Sequence, residues 1–281
     1  MFGPWGHQES DFEPARVTSW AHSAPVATPN RRLDTNVPCE SFVDSSCSDC
    51  DACRWIAPAT IDRAGEASCI HRQHEGAARL AALQALIACP TGSIGGGTKA
   101  ELRWPRSAFP APLDSRDPDG DVSRVGWHSE MSFGAASYLI VRPKESCGNV
   151  LVDSPRFSKL LVRRLEELGG VETLFLSHRD DVADHSRFHA HFGCRRILHA
   201  NDVTAGTSGV ALRLEGEDVL ALDEELTAIP VPGHPRGSTC LLYRSTHIFT
   251  SDHLVWSVRA ATTRAWPGRW SAASSGCGPP Q

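Results

Sequence analysis

The chain has 281 residues, a net charge of −5 at pH 7, 41% hydrophobic residues and 22% charged residues. This length allows one large domain or two modest ones, and the composition is that of an ordinary globular protein. The small negative charge gives no general attraction to nucleic acid or anionic membranes, and no apolar run reaches about 18 residues. We therefore expect neither a nucleic-acid partner nor a membrane partner.

The first segment, residues 1–38, is rich in Pro, Ser, His and Arg and has no sustained periodicity. This pattern predicts a disordered lead-in. The segment lacks a basic start followed by an apolar stretch, so we expect no secretion signal.

Four cysteines give the clearest chemical signal in the chain. Cys47, Cys50 and Cys53 are spaced two residues apart, and Cys89 is followed by Pro90. A tight loop of three cysteines with a distant Cys-Pro is typical of a [4Fe–4S] cluster site. A structural zinc knot is the alternative, although zinc sites usually use two separated cysteine pairs. A helix predicted over residues 76–88 would bring Cys89 back to the loop.

The stretch from Val43 to Trp55, followed by Ala85 to Ile94, resembles the single-cluster ferredoxin family. The resemblance implies a ferredoxin-like module over residues 40–97 that binds one [4Fe–4S] cluster. An iron–sulfur site suits a reducing compartment, so we expect a cytoplasmic protein whose other six cysteines are free thiols.

A linker is predicted over residues 98–124 from its glycine, proline and aspartate content. A second domain is expected to begin near Val125, with strands at 137–141 and 149–152. Ser154-Pro155 predicts a helix start, and residues 173–176 predict the next strand of a βαβ unit. A short helix through Phe188, a strand at 197–198 and a strand-rich half over 210–250 follow.

The strand at 173–176 runs directly into two histidines and three aspartates within eight residues, from His178 to His185. Imidazole and carboxylate ligands at the end of a sheet suit zinc, iron or manganese. Such an acidic run is also typical of a solvated helix start, where carboxylates favour the helix dipole.

Residues 125–254 resemble the metallo-β-lactamase fold superfamily. The resemblance rests on this histidine–aspartate loop, on Pro232-Gly233-His234-Pro235-Arg236-Gly237-Ser238, and on the aspartate at 252. It implies one or two divalent metals, zinc or iron, and Asp184 is also the candidate catalytic residue. The implied metal ligands are His178, Asp180, Asp184, His185, His234 and Asp252. Asp180 stands where the family has a second histidine, and the pair Asp184-His185 falls two residues late.

The predicted fold class is α+β, with a small ferredoxin-like module followed by an incomplete αββα metallo-β-lactamase-like domain. The family ends with further helices, strands and a last Gly-His ligand, whereas residues 255–281 contain no Asp, Glu or His. We expect this atypical tail to reflect a truncation or a reading-frame error.

Three functions are consistent with these patterns; the first is the predicted function, and the other two are alternatives. The first is a hydrolase in which a metal-bound hydroxide attacks an ester, thioester or amide of a small-molecule substrate. The second is an iron-dependent oxidoreductase whose cluster supplies electrons and is served by a redox partner protein. The third is a non-enzymatic electron carrier or scaffold with an eroded metal site.

Overall fold

The computed structural model describes residues 27–98, 100–113, 120–143, 145, 147–233, 235–257 and 262–265, with the side chain of Trp104 and those beyond Leu254 left aside. The first 26 residues of the predicted lead-in, the candidate ligand His234 and the end of the tail therefore lie outside the described residues. In the part that is described, no helix combines the length and hydropathy needed to cross a membrane.

The first module is built from short elements: β1 (Phe42–Val43), α1 (Ala52–Ile56), β2 (Ile61–Ala64), β3 (Ala67–Ile70), α2 (Gly76–Ala88) and β4 (Ile94–Gly95). Strand β1 pairs antiparallel with β4, and β2 and β3 form a hairpin. Val43, Ile61 and Ile70 form its buried centre. Helix α2 has the bounds that the sequence predicts.

The predicted disorder over residues 1–38 is wrong for residues 27–38, which fold against this module. Pro29–Arg31 form a 3-10 turn. The buried Asn36 side chain accepts hydrogen bonds from the amides of Val43 (2.9 Å) and Ile70 (3.0 Å). Strands this short leave backbone groups unpaired, and one buried asparagine satisfies several of them. Composition cannot reveal such a contact.

The predicted linker over residues 98–124 is also folded where it is described. It contains α3 (Arg103–Ser107), β5 (Ala111–Pro112) and β6 (Val122–Arg124). Phe109 is buried, and its ring lies 5.6 Å from that of Trp127 in an edge-on arrangement. The segment therefore belongs to the core of the second domain.

The second domain contains two sheets. Its elements are β7 (Tyr138–Ile140), β8 (Val150–Val152), α4 (Lys159–Glu167), β9 (Thr173–Phe175), α5 (His185–Phe192), β10 (Arg195–His199), β11 (Leu212–Leu214), β12 (Leu220–Ala221), β13 (Leu226–Pro230), β14 (Thr239–Tyr243), β15 (His247–Phe249), β16 (Leu254–Ser257) and β17 (Thr262–Ala265). The first sheet has the order β11-β10-β9-β8-β7-β6-β5, and the second has the order β12-β13-β14-β15. Strands β8 to β11 run parallel, and the other pairs are antiparallel.

Strands of the first sheet are buried on both faces because successive side chains alternate between two cores. Leu139 and Leu174 point to the core that holds α4 and α5. Their neighbours Ile140 and Phe175 point to the core between the two sheets. The domain thus has three layers, helix–sheet–sheet, and no α-helix follows α5 within the described residues.

Helix α2 of the first module packs into the core of the second domain that holds α4 and α5. Leu83 and Ile87 belong to the same buried cluster as Leu161 of α4 and Phe188 of α5. The two parts of the chain therefore share a hydrophobic core.

The helix predicted to start at Ser154-Pro155 begins only at Lys159, with Ser158 as the residue that precedes it. In a helix that started at Ser154, the first backbone amides would have no partner within the helix. Here two of these amides donate to the loop after β9. Ser154 N donates to Asp181 O (3.1 Å), and Phe157 N donates to the Asp184 carboxylate (2.7 Å). Tertiary hydrogen bonds thus outweigh the local helix signal.

Candidate cluster pocket and acidic site

The four predicted cluster ligands lie around one small cavity. Cys47, Cys50, Cys53 and Cys89 all line it, together with side chains of the β1 and β4 region. Cys53 lies in the first turn of α1, and Cys89 directly follows the last residue of α2. The helix end and the loop therefore present their sulfurs to the same space.

Nearby polar groups point at these sulfurs. Ser68 N donates to Cys47 Sγ at 3.5 Å, and Ser68 Oγ lies 3.3 Å from Cys53 Sγ. Burial, with the neighbouring thiols, raises the pKa of Cys53 to about 12 and also raises that of Cys50. Cysteine ligands bind a metal centre as thiolates, and the positive charge of that centre stabilises several thiolates held close together. This donor set therefore fits an iron–sulfur cluster.

The described cysteines form no disulfide with one another. In the same part of the chain, no three His, Cys, Asp or Glu side chains are spaced to close around a single metal ion. A cube has a separate iron for each thiolate, so its four sulfurs do not converge on one point.

A loop of the second domain, residues 126–137, lies directly against the cluster pocket. Gly134 has a φ of +87°, and a Cβ placed there would lie 2.8 Å from Cys50 Cβ and 3.1 Å from Cys50 Sγ. It would also lie 3.2 Å from Pro90 Cγ. Only glycine permits both this backbone conformation and this approach to the cysteine. We call this segment the bridging loop.

The bridging loop is fixed from inside by a buried histidine. His128 Nδ1 lies 2.7 Å from Gly134 O, and Gly134 N donates to Ser129 O (2.9 Å). Burial lowers the pKa of His128 to about 4, so the imidazole is neutral near pH 7. The neutral ring therefore donates to the Gly134 carbonyl.

The second candidate site lies at a cavity of about 360 Å³. It collects loops that follow strands β8, β9 and β15. Its polar lining includes Asp153, Asp181, Ser251 and Asp252, and its apolar lining includes Ala135, Ala136 and Tyr138. Because the carboxyl ends of parallel strands meet at one edge of a sheet, residues after β8 and β9 become neighbours.

His178 is fully buried and lies against three residues of this lining, Asp181, Ser251 and Asp252. Its Nε2 atom lies 3.5 Å from Asp252 Oδ2 and 3.8 Å from Asp180 Oδ2. Its Nδ1 atom lies 3.0 Å from Ser251 Oγ. The Nε2 contacts are too long for good hydrogen bonds, and this buried nitrogen has no other partner among the described residues.

Buried carboxylates crowd around this histidine. Burial and the negative charges nearby raise the pKa of Asp181 to about 8 and that of Asp153 to about 6. Burial alone would lower the pKa of His178, but the surrounding carboxylates outweigh it and raise the value to about 9. Asp153 has a φ of +56°, a strained conformation that is common at functional sites.

Two predicted ligands are not at this site. The Asp184 carboxylate accepts from Phe157 N (2.7 Å) and pairs with Arg187 (3.4 Å). His185 Nδ1 lies 3.2 Å from the Arg196 guanidinium. Helix α5 begins at His185, which turns both side chains away from His178. The structure thus brings together His178, Asp180 and Asp252 of the predicted set.

The site also contains Asp181 and Asp153, two residues that are absent from the ligand set predicted from sequence. Asp181 lies within the acidic run, and its Oδ2 atom is 3.6 Å from His178 Nδ1. Asp153 directly follows β8, and its Oδ1 atom accepts from Ser177 N at 2.8 Å. The position of each after a buried strand was the signal available in the sequence.

A further residue, Asp202, organises the loops around the site. Its carboxylate accepts from Arg179 N (3.1 Å) and from Gly237 N (2.9 Å). It therefore ties the loop after β9 to the segment that contains the Pro-Gly-His sequence. A Cβ at Gly237 would lie 2.5 Å from Asp202 Cγ, so glycine is required at this position.

The donor chemistry of the second site suits a divalent cation. An imidazole nitrogen with only long contacts to two carboxylates is a candidate metal donor, and a positive ion stabilises carboxylates that repel one another. The nitrogen atoms of His178 lie 3.5 to 3.8 Å from the carboxylate oxygens of Asp180, Asp181 and Asp252, which are ion-pair distances.

Comparison with protein families identifies the first module. Residues 43–96 match the model of the 4Fe-4S single cluster domain of Ferredoxin I. This match confirms the predicted cluster module. Comparison with curated proteins found no match.

Comparison with solved structures returned metallo-β-lactamase-type chains. A subclass B3 metallo-β-lactamase of Bradyrhizobium japonicum shares 18% identity over 43% of this chain and 53% of its own, with a TM-score of 0.33. ETHE1 from Myxococcus xanthus shares 18% identity over 48% and 58%, with a TM-score of 0.37. Native FEZ-1 from Legionella gormanii shares 20% identity over 51% and 58%, with a TM-score of 0.35.

The chain thus spans little more than half the length of these structures. The chain combines a ferredoxin-type cluster module with a second domain of helix–sheet–sheet layers.

Proposed function

We propose that this protein is an oxidoreductase in which the ferredoxin cluster serves a metal-dependent reaction in the cavity beside His178. One observation carries this proposal. Gly134 of the bridging loop contacts the cluster ligand Cys50, and the next two residues, Ala135 and Ala136, line that cavity. The two pockets are therefore separated by a single loop.

The cysteine pocket is suited to hold the cluster, which supplies reversible one-electron transfer when bound. The thiols of Cys47, Cys50, Cys53 and Cys89 would bind it. Gly134 brings backbone of the second domain against one of these ligands, and His128 fixes that backbone by a hydrogen bond of 2.7 Å. A rigid, short connection between two sites favours electron exchange between them.

The second pocket is suited to hold a divalent metal and a small substrate. His178 and the carboxylates of Asp153, Asp181 and Asp252 are the described candidates, and His234 is the candidate from sequence. Nitrogen and oxygen donors of this kind bind iron, manganese or zinc. A cavity of about 360 Å³ is the size of a small-molecule site. A redox partner protein would exchange electrons with the cluster.

A test uses the full chain, purified without oxygen and loaded with its cluster. The reduced cluster gives an EPR signal whose relaxation is faster when a paramagnetic ion is close. We expect Mn²⁺ bound at the second site to speed this relaxation, whereas diamagnetic Zn²⁺ should not. His178→Ala should abolish the Mn²⁺ effect and leave the iron and sulfide content unchanged. Bound Mn²⁺ with no change in relaxation would contradict the proposed coupling.

A metal-dependent hydrolase is the second candidate, favoured by the carboxylate-rich surroundings of His178. The same donor set suits zinc, which lowers the pKa of bound water. Zinc-loaded protein would then hydrolyse chromogenic esters, thioesters or amides at the same rate with and without the cluster. This result would replace the redox proposal, whereas turnover lost with either metal centre would support it.

A further inference from the structure

Arg156 belongs to the second domain but points into the ferredoxin module. It lies between β8 and α4, and its main-chain amide donates to Trp127 O (2.8 Å) in the bridging loop. Its guanidinium Nη2 donates to Ile87 O at 3.4 Å, in the last turn of α2. That helix ends at Ala88, and the cluster ligand Cys89 follows directly.

The charge of Arg156 has no carboxylate partner within 4.0 Å among the described residues. The nearby Asp184 carboxylate is engaged by Arg187 and by the Phe157 amide. The guanidinium is partly buried, and burial lowers the pKa of Arg156, an effect that the nearby Cys89 and Asp184 oppose. A buried cation is costly unless a negative group compensates it.

We propose that Arg156 is the counter-charge of the iron–sulfur cluster, supplied by the second domain to stabilise the reduced cluster. With four thiolate ligands the cluster is an anion in both redox states, and it is more negative when reduced. A fixed positive charge beside one ligand favours the reduced state and raises the reduction potential. Arg156 also binds the carboxyl end of α2, where a cation complements the helix dipole.

This role has a consequence for the connection between the two parts of the chain. The bridging loop and Arg156 reach the cluster pocket together, because Arg156 N is hydrogen-bonded to Trp127 O. Packing of the second domain against the module therefore sets the potential of the cluster. The inference depends on the cluster, and it stands whether the second pocket carries out redox chemistry or hydrolysis.

The test is an EPR-monitored redox titration of the cluster in the full, anaerobically loaded chain. Arg156→Gln removes the charge, Arg156→Lys keeps it, and Arg163→Gln is the matched control, because Arg163 is exposed on α4. We expect a more negative midpoint potential for Arg156→Gln, a smaller shift for Arg156→Lys and no shift for Arg163→Gln.

Iron and sulfide content provides a second readout. Loss of the cluster in Arg156→Gln but not in Arg156→Lys would also support the counter-charge. An unchanged potential in Arg156→Gln with full iron content would overturn the inference. Equal shifts, or equal cluster loss, in Arg156→Gln and Arg156→Lys with unchanged circular dichroism would overturn it as well, because charge would then not be the cause.

Discussion

The cluster pocket and the acidic site are built in opposite ways. Three of the four predicted cluster ligands lie within seven residues of sequence, and the fourth directly follows the helix α2 that packs behind them. The acidic site instead draws Asp153, His178 and Asp252 from loops that follow three different strands in two sheets. One site is local in sequence, and the other exists only when the sheets are assembled.

This difference predicts which changes each site tolerates. A local site depends on the identity of a few ligands, so a single substitution at a ligand should remove it. A site assembled from several loops depends on packing and on balanced charge, so its variants should change stability and pH dependence before they abolish binding. The following predictions test this contrast.

The largest effect is expected from Cys50→Ser, which should abolish or convert the cluster because one of four thiolates is lost. Cys194→Ser is the control, since Cys194 is buried in the core of the second domain away from the cluster pocket. Iron and acid-labile sulfide measure the outcome. Equal iron content in both variants would show that the ligand assignment is wrong.

Asp181→Asn should change the pH dependence of stability at the acidic site. The pKa of Asp181 is raised to about 8, so the unfolded chain releases this proton at lower pH than the folded chain. The free energy of unfolding of protein with no metal at the second site should therefore fall as pH rises from about 4 to about 8. Urea unfolding of the variant should show a much flatter profile.

Asp180→Asn provides the comparison, because the Asp180 side chain is 38% exposed. It should leave most of the pH dependence in place. If the free energy of unfolding changed equally steeply with pH in the wild type and in Asp181→Asn, the prediction would be contradicted.

Gly134→Ala tests the contact between the two sites. Its Cβ would lie 2.8 Å from Cys50 Cβ at a φ of +87°. We expect a loss of about 2–4 kcal/mol in the free energy of unfolding, from backbone strain and overpacking, together with weaker cluster retention.

Gly216→Ala separates strain from contact, because Gly216 has a φ of +79° and nothing within 4 Å of an added Cβ. It should cost about 1 kcal/mol and leave the cluster unaffected. Similar iron loss in both variants would rule out the contact with Cys50 as the cause.

The smallest effect at neutral pH is expected from His128→Asn, which keeps a donor for the Gly134 carbonyl. The pKa of His128 is lowered to about 4 by burial, with contributions from Arg124 and Arg156. As the pH falls, His128 is therefore protonated in the unfolded chain before it is protonated in the folded chain. The free energy of unfolding should decrease between about pH 6.5 and about pH 4. Relative to the wild type, the variant should gain up to about 3 kcal/mol in the free energy of unfolding near pH 4 and little at pH 7. A parallel loss in both proteins would contradict this.

Regular elements with strong local patterns were predicted well from sequence. Helix α2 was found at the predicted residues, and β7, β8 and β9 lie inside the predicted strands. The helix start at Ser154 was wrong, because the amides of Ser154 and Phe157 are bound by the loop after β9. The folded residues 27–38 were missed because Asn36 pairs with strands far from it in sequence.

The sequence alone predicted the four candidate cluster ligands, because the pattern depends on spacing within one short loop and on a helix that returns Cys89 to it. Only the tertiary structure decided the acidic site. It admitted Asp153 and Asp181 and directed Asp184 and His185 elsewhere, since the turn that begins α5 sets which way each side chain faces. The contact of Gly134 with Cys50 likewise depends on packing between residues 84 positions apart, which no local pattern encodes.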